Sequence, residues 1–283
     1  MIGALVLGFF GGLAAGAAIV REFEIAAARD IRSQLQGESR RVSVHTRAGA
    51  SGIWGDVGSV RIRARNFTTD GLPLFVEPER SKAGKLRRLI LDLEDFALGP
   101  VTIARLHAEI PDCRFDRTLA LNRKRMRLSQ SGVGTGWVEI TTAALESFTL
   151  KKFPEIRRCA MMARNNRLNV RGFGEFLVIQ TEFEVDAALE VRNGSQLWLT
   201  DARITFDGVL ADPLSRDAVL RTMNPIVDLD RDLKLFGAIQ VAKISLANDR
   251  LRAEGPTRIP VRPIAPANSV DAKPVDLAMP EGR

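Results

Sequence analysis

A long amphipathic hairpin constrains the fold of this chain more than any other feature of its sequence. Asn193-Gly194 indicates a two-residue type I′ turn, because both turn positions must tolerate a positive φ. Pairing outward from this turn places Leu189 opposite Trp198 and sorts both strands into an apolar face and a polar face. The first strand covers residues 177–191, whereas most strands contain about 3–10 residues. Strands of this length predict a large sheet with one apolar face.

The inner face of that sheet is the first candidate for a binding site. If helices leave part of it uncovered, an apolar groove remains that suits acyl chains; if they cover it, the core is closed. The sequence alone leaves both arrangements open. Side chains with a large apolar area on this face are the predicted contacts for lipid: Phe183, Leu189, Trp198, Ile204 and Phe206.

Other periodic patterns indicate further strands and a few helices. Apolar residues recur every four positions in residues 20–35, which predicts an amphipathic helix. Alternation in residues 60–65 and 88–94 predicts half-buried strands. Two more helices are expected, at residues 143–152 after a cap at Thr141 or Thr142, and at residues 213–224 after Asp212-Pro213. A second hairpin turn is expected at residues 248–249, with Leu246 opposite Leu251. The predicted fold is therefore α+β, with a long, strongly curved antiparallel sheet wrapped around a few helices.

The first twenty residues carry no charged side chain and, as a helix, would span a hydrocarbon core. Their five glycines argue against a buried helix of a water-soluble core. Residues 1–20 are therefore predicted to be a signal peptide or a signal anchor. Arg21, Arg29 and Arg32 follow this segment, and the positive-inside rule would keep that flank in the cytoplasm, so the orientation stays open.

The end of the chain differs in composition from the rest. From residue 256 onward it carries six of the thirteen prolines and shows no apolar periodicity, which predicts a disordered tail. The expected organisation is a signal segment at 1–20, one folded domain at 21–255 and a tail at 256–283.

The amino-acid composition argues against most classes of catalytic and metal site. The 283 residues include two histidines, two cysteines and no tyrosine, and no CxxC or HExxH cluster supplies the ligands of a zinc site. Because no acid–base pair can be assembled by spacing, we expect neither enzymatic activity nor a metal or cofactor. Cys113 and Cys159 either form one disulfide in an oxidising compartment or remain two buried thiols.

The chain has a formal net charge of +7, and some of its basic residues cluster in one short segment: Arg123, Lys124, Arg125 and Arg127. Such a cluster either faces the phosphates of lipid head groups or nucleic acid, or it is a solvated surface. Nucleic acid is not expected, because RNA-binding surfaces usually interleave stacking aromatics with basic residues. In the second basic run, residues 151–171, only Phe153 lies nearby.

These patterns resemble the bacterial LmeA-like phospholipid-binding family over roughly residues 25–255. The resemblance rests on the early amphipathic helix, a glycine-led strand and several turns: Gly55–Ala64, Phe67, Gly71-Leu72-Pro73, Thr142, Asn224-Pro225-Ile226, Asp228-Leu229, Leu251 and Gly255. These are patterns of hydrophobicity and turns, and the family has no motif residues that transfer to this chain as a binding site.

The resemblance implies a fold similar to the tubular, BPI-like lipid-binding domains. It implies an exported protein on the extracytoplasmic (periplasmic) side of a bacterial inner membrane, with phospholipid and an anionic membrane surface as partners. The expected function is non-enzymatic phospholipid binding in the cell envelope. The alternative is a membrane-anchored structural or scaffolding protein with a closed core and no lipid cargo.

Overall fold

The computed structural model describes residues 20–22, 24–37, 40–47, 55–70, 72, 74–123, 125–176 and 179–261 of the chain. The strands are β1 (Arg41–Arg47), β2 (Asp56–Thr69), β3 (Gly84–Leu98), β4 (Val101–Phe115), β5 (Leu128–Gln130), β6 (Gly134–Thr141), β7 (Ile156–Arg164), β8 (Arg167–Phe176), β9 (Ile179–Arg192), β10 (Gln196–Phe206), β11 (Val209–Leu210), β12 (Val227–Asp228), β13 (Lys243–Ala247) and β14 (Arg250–Thr257). The helices are α1 (residues 24–34, with 20–22 also helical), α2 (Arg117–Arg123), α3 (Thr142–Lys152) and α4 (Pro213–Met223).

The fold is mostly β, with few helices and a curled, largely antiparallel arrangement of strands. It agrees in outline with the predicted curved sheet, but the strands divide between two sheets rather than one. Sheet A has the order β1-β2-β3-β4-β6-β14-β13, with β5 beside β4, and sheet B has the order β11-β10-β9-β8-β7, with β12 beside β10.

One pair of strands corrects the expectation of an antiparallel sheet, because β2 and β3 run parallel. A parallel pair needs a crossover connection of about a dozen residues or more, and residues 70–83 supply it. Val76 in this crossover forms bridges to Leu128 and Val261. The connection therefore packs across one end of sheet A instead of looping freely away from it.

The alternation of inward side chains in sheet A shifts by one position part-way along two neighbouring strands. Ala64 of β2 is buried, Asn66 then has a φ of 56°, and Phe67 is the next buried residue. At the same level of β3, Asp95 has a φ of 49° and Phe96 is buried. Asn and Asp tolerate this left-handed conformation better than most residues. Irregularities at the same level of adjacent strands bend a sheet, which accounts for part of the curl.

Sheet B contains the predicted hairpin, formed by β9 and β10. The turn lies where the sequence placed it, with φ values of 54° at Asn193 and 69° at Gly194. The predicted register is wrong by one residue, because Arg192 pairs with Gln196. Ser195 is an additional turn residue, and its N–H donates to the carbonyl of Arg192 at 3.3 Å.

The corrected register changes which side chains of β10 face inward. Leu189 pairs with Leu199 rather than Trp198, and a slip of one residue moves each side chain to the opposite face of a strand. Leu199 is therefore buried, whereas the Trp198 ring lies beneath the guanidinium of Arg192, 4.2 Å from its carbon. A bulge after Thr200 shifts the pairing once more towards the end of the hairpin.

The other predicted elements are confirmed by their local chemistry. The hydroxyl of Thr141 accepts a hydrogen bond from the N–H of Ala144 and caps α3. The carboxylate of Asp212 caps α4 in the same way. The second hairpin turns after β13, where Leu246 pairs with Leu251 as the sequence predicts.

The two sheets are joined where β13 meets the turn between β7 and β8. The N–H of Asn166 donates to the carbonyl of Leu246 at 3.1 Å, and the Leu246 N–H donates to Oδ1 of Asn166 at 3.0 Å. The N–H of Ala163 likewise donates to Oδ1 of Asp249 at 3.1 Å. Buried side chains of both sheets belong to one large cluster as a result.

The last strand runs slightly beyond residue 255. Strand β14 reaches Thr257 and Ile259 is buried, so the packed structure includes a few residues that follow the predicted domain. The tail from 262 onward, and residues 1–19 of the expected signal segment, lie outside the described residues. None of the helices in the described ranges is both long and apolar enough to cross a membrane.

Candidate functional site

A cavity of about 530 Å³ lies against the inner face of sheet A. Pockets of about 300–1,000 Å³ are typical of sites that enclose small molecules. The cavity is covered mainly by α1 and by three segments without regular structure, at residues 74–77, 125–127 and 229–241. Sheet A therefore forms one wall and these segments form most of the other, while Leu145 of α3 and Leu197 and Val227 of sheet B line the cavity where the two sheets meet.

The sheet wall of the cavity is apolar because alternate residues of neighbouring strands share one face. Three adjacent strands supply nine of these side chains: Val60, Ile62, Ala64, Leu89, Leu91, Leu93, Leu106, Ala108 and Ile110. The opposite wall adds more aliphatic groups, including Leu229, Leu233 and Ile239. A surface of this kind favours hydrocarbon over water.

Five charged residues line the cavity, and four of them form one cluster of ion pairs. Nη1 of Arg127 lies 2.7 Å from Oδ2 of Asp30, and Nε of Arg125 lies 3.5 Å from Oδ1 of the same carboxylate. Nε of Arg127 also lies 3.7 Å from Oε1 of Glu77. Arg258 is the fifth charged residue. We call Asp30, Glu77, Arg125 and Arg127 the rim cluster.

Two elements position most of the rim cluster: helix α1 carries Asp30, and the segment before β5 carries Arg125 and Arg127. Ala27 and Ile31 line the cavity from α1, and the helical repeat puts Asp30 beside them. Arg127 precedes β5, and its carbonyl accepts from the N–H of Asp116 at 3.1 Å. The side chains of Asp30, Arg127 and Arg125 are 14%, 22% and 55% exposed, so the cluster extends from the cavity to the solvent.

The hairpin residues predicted to contact lipid lie elsewhere, and none of the five lines this cavity. Phe183, Ile204 and Phe206 face a cleft of about 30 Å³ between sheet B and α4, and Leu189 borders a second cleft of about 10 Å³. Because a water needs about 10–15 Å³ of such space, these clefts are too small for an acyl chain. Trp198 packs on Arg192. The role of these five residues in lipid binding stays a prediction.

The cavity under sheet A was not predicted from the sequence, although alternation indicates two of the strands that line it, β2 and β3. The alternation in residues 60–65 and 88–94 identifies faces that are buried, but it does not say what covers them. The cover comes from residues 74–77 and 229–241, which have no periodic pattern.

The structure separates the four basic residues that the sequence groups together. Arg123 ends α2 and is exposed, and Lys124 lies outside the described residues. Arg125 and Arg127 belong to the rim cluster, where they are held by carboxylates rather than by water alone. Whether this segment contacts a membrane surface stays a prediction.

The two cysteines are poorly placed for nucleophilic catalysis. Cys113 on β4 and Cys159 on β7 are free thiols on different sheets. Burial raises the pKa of both, and burial together with the nearby Glu146 raises the pKa of Cys159 to about 11. A thiol with such a pKa is protonated at neutral pH and is a weak nucleophile. Across the ranges that the structure describes, no group of three or more His, Cys, Asp or Glu residues is arranged to hold a metal ion.

Comparison with known proteins identifies one family. The family model described as LmeA-like phospholipid-binding matches residues 14–255, which confirms the resemblance found in the sequence. The matched range contains every residue that lines the cavity except Thr257, Arg258, Ile259 and Pro260. No curated protein and no solved structure matches the chain.

Proposed function

Because the chain belongs to the LmeA-like phospholipid-binding family, we propose that it is a non-enzymatic phospholipid-binding protein that holds acyl chains in the cavity under sheet A. The observation that carries this proposal is the apolar cavity of about 530 Å³. Transfer of an acyl chain from water to such a surface contributes about 0.8 kcal/mol for each buried CH₂ group. A bound acyl chain also gives the side chains of the cavity walls dispersion contacts, which they lack where they border empty space.

The cavity also supports the first of the two expected functions over the second. A scaffolding protein would have a closed core throughout, as the part around sheet B does. It has no need for a space of several hundred cubic ångströms against sheet A. Lipid binding therefore explains the presence of the cavity, and a scaffolding function does not.

We place the protein in the bacterial envelope, on the extracytoplasmic side of the inner membrane, with a fold related to the tubular lipid-binding domains. Support for the membrane comes from the uncharged first twenty residues, which α1 follows closely. Arg125 is exposed and lines the cavity's polar end, and Arg123, two residues earlier in the chain, is exposed as well. A basic residue close to anionic lipid gains about 1 kcal/mol, so these arginines would orient that end towards the bilayer.

Photo-crosslinking in membranes tests the proposal with the full chain. The protein is reconstituted into phosphatidylcholine vesicles that contain a phosphatidylglycerol with a diazirine in its acyl chain. After irradiation, the modified residues are mapped by peptide mass spectrometry. We expect adducts on side chains that line the cavity, above all on β3 and β4, whose inner faces form its floor.

The distribution of adducts separates the alternatives. Adducts on Phe183, Leu189, Ile204 or Phe206 would place the lipid on the hairpin and contradict the cavity proposal. Adducts confined to exposed residues would mean that the lipid lies only outside the protein, and would favour the scaffolding function. Phosphatidylglycerol that is recovered hydrolysed after incubation would contradict a purely binding role.

A further inference from the structure

We propose that Arg125 and Arg127 form the site for the phosphate of the lipid head group, and that the carboxylate of Asp30 fills this site when no lipid is bound. This inference rests on the proposed function, because the acyl chains must lie in the cavity for the phosphate to reach the rim cluster. It specifies which residues bind the polar end of the lipid, and it identifies the Asp30 carboxylate as a group of the protein that competes with the phosphate for them.

The geometry of the rim cluster supports a preformed site for one anion. Two guanidinium groups converge on a single carboxylate, with contacts of 2.7 Å from Arg127 and 3.5 Å from Arg125 to the two oxygens of Asp30. A phosphodiester presents two charged oxygens in a similar arrangement, and arginine binds such groups through paired N–H donors. Asp30 therefore occupies the position that a phosphate would take.

The distribution of charge in the cavity points to an amphipathic ligand. Four of its five charged residues lie in this one cluster, while the rest of the lining is mainly aliphatic. A ligand with one charged group and long hydrocarbon chains matches that division. Free phosphate would match the cluster but not the remainder of the cavity.

The charges of the rim cluster are compatible with exchange of Asp30 for a phosphate. A phosphodiester carries one negative charge, as the carboxylate does, so its contacts with Arg125 and Arg127 would replace those of Asp30 charge for charge. Because Asp30 and Arg127 are mostly buried, their mutual attraction is screened less than that of a surface pair. Asp30 is therefore a strong competitor for the phosphate.

The test compares two photoactivatable lipids with identical diazirine-labelled acyl chains, phosphatidylglycerol and diacylglycerol. Only adducts on cavity-lining peptides are counted, so that binding at the vesicle surface does not contribute. The full chain is used in phosphatidylcholine vesicles, as wild type and as Arg127→Gln, Arg127→Lys and Asp30→Asn. A charge-assisted hydrogen bond of ordinary strength corresponds to about a tenfold difference in capture.

We expect wild-type protein to capture phosphatidylglycerol about tenfold better than diacylglycerol, by the strength of such a bond. Arg127→Gln should remove most of this preference and Arg127→Lys should retain part of it. Asp30→Asn should increase capture of phosphatidylglycerol, because it weakens the competitor. Capture of diacylglycerol by each protein is its own reference for acyl-chain binding, and the ratio of the two captures is what the variants should change.

A purely structural ion pair gives a different pattern. Arg127→Gln and Asp30→Asn would then lower capture together, for both lipids, and that result would overturn the inference. Equal capture of the two lipids by wild-type protein would also overturn it while leaving acyl-chain binding intact. If neither lipid reaches the cavity, the proposed function itself fails. Inorganic phosphate that competes as well as unlabelled phosphatidylglycerol would refute a head-group site.

Discussion

Sheet A and sheet B have the same kind of inner face, yet in the described part of the chain the large cavity extends along sheet A and reaches sheet B only at Leu197 and Val227. Along the rest of sheet B the predicted helices α3 and α4 fill the space, and clefts of about 30 and 10 Å³ remain. On sheet A the cover is mainly one helix and irregular segments, and about 530 Å³ remains. An apolar sheet face therefore becomes a binding site only where its cover fails to fill it.

The elements that cover each sheet explain why the space against sheet B is filled and the space against sheet A is not. Helix α3 buries Leu145 and Phe148, whose large side chains reach into the shared core. Helix α1 presents Ala27 and Ile31 towards the cavity, followed by Leu35 just after the helix, and the short side chain of Ala27 fills little of the space. The segments at 74–77 and 229–241 close the sides of this space without filling its centre.

The largest expected effect on stability comes from adding an aromatic ring to each half of the molecule, where one half is the part around sheet A and the other is the part around sheet B. Ala108 and Ala187 are both buried alanines on strands, but Ala108 lines the cavity and Ala187 belongs to the packed core. Ala187→Phe should lower the free energy of unfolding by about 3 kcal/mol or more, because the core has no room for a ring. Ala108→Phe should change that free energy by less than about 1.5 kcal/mol, because its ring enters empty space.

Lipid capture by the Ala108→Phe protein completes the comparison. The ring occupies volume that the acyl chains need, so photo-crosslinking to cavity residues should fall by most of its wild-type value. Chemical denaturation measures the stability of the lipid-depleted proteins. A similar loss of stability for the two variants would show that the space under sheet A is filled by neighbouring side chains in solution.

Truncating one leucine in each half to alanine should show the same contrast, with a smaller difference in the free energy of unfolding between the two variants. Leu199 is buried in the packed core, and Leu91 lines the cavity and is half-buried. Leu199→Ala should cost about 2–5 kcal/mol of stability because it creates a new void. Leu91→Ala should cost about 1 kcal/mol, since this side chain already borders empty space and loses fewer contacts. Urea denaturation of both variants checks this, and equal costs would contradict it.

One half-buried lysine, Lys152, lies at the boundary between the parts of the molecule around sheet A and sheet B. Nζ of Lys152 lies 2.6 Å from Oδ2 of Asp232 and donates to the carbonyls of Pro225 and Ile226 at 3.1 and 3.2 Å. It thereby ties the end of α3 to the segment that continues along the cavity. Lys152→Met should cost about 1–3 kcal/mol of stability, because Asp232 loses its charged partner.

The neighbouring Lys151 is exposed and provides a matched control. Lys151→Met should leave the melting temperature almost unchanged, since it alters a solvated charge. Differential scanning calorimetry of the two variants measures the contrast. Equal melting temperatures for both would mean that the contacts of Lys152 do not stabilise the fold.

Features set by local chemistry could be predicted from the sequence. The cap at Thr141, the cap at Asp212 and the turn at Asn193-Gly194 each depend on a few adjacent residues, and all three occur where expected. The second hairpin has the predicted register for the same reason. Alternation also identified the buried faces of β2 and β3.

Features that depend on distant parts of the chain could not be predicted. Asp30 and Arg127 are 97 residues apart, and nothing in their local sequence pairs them. The extra turn residue Ser195 moved Trp198 out of the predicted apolar face, because register errors of one residue reverse every side chain. The filling of each sheet face depends on irregular segments, for which periodicity gives no signal.

The smallest expected effect concerns a carboxylate in the segment between the two halves. Burial alone would raise the pKa of Asp228, but it accepts hydrogen bonds from the N–H groups of Arg231 and Asp230 and from the Gln196 amide. These bonds, with the nearby charge of Lys152, lower its pKa overall. The carboxylate therefore stabilises the folded protein above its unfolded pKa of about 3.9, and this contribution is lost as the pH falls through the lower folded value.

Asp228→Asn should consequently be less stable than wild type at pH 7, and the difference should shrink as the pH falls below about 4, where the wild-type carboxylate becomes protonated. Urea denaturation of both proteins between neutral and acidic pH measures it. A difference that is constant over this range would mean that the amide lacks a hydrogen bond or packs poorly, rather than that a charge is missing. Because this segment lies beside both the packed core and the cavity, a charge-dependent difference would show that its fold depends on the ionised carboxylate as well as on apolar packing.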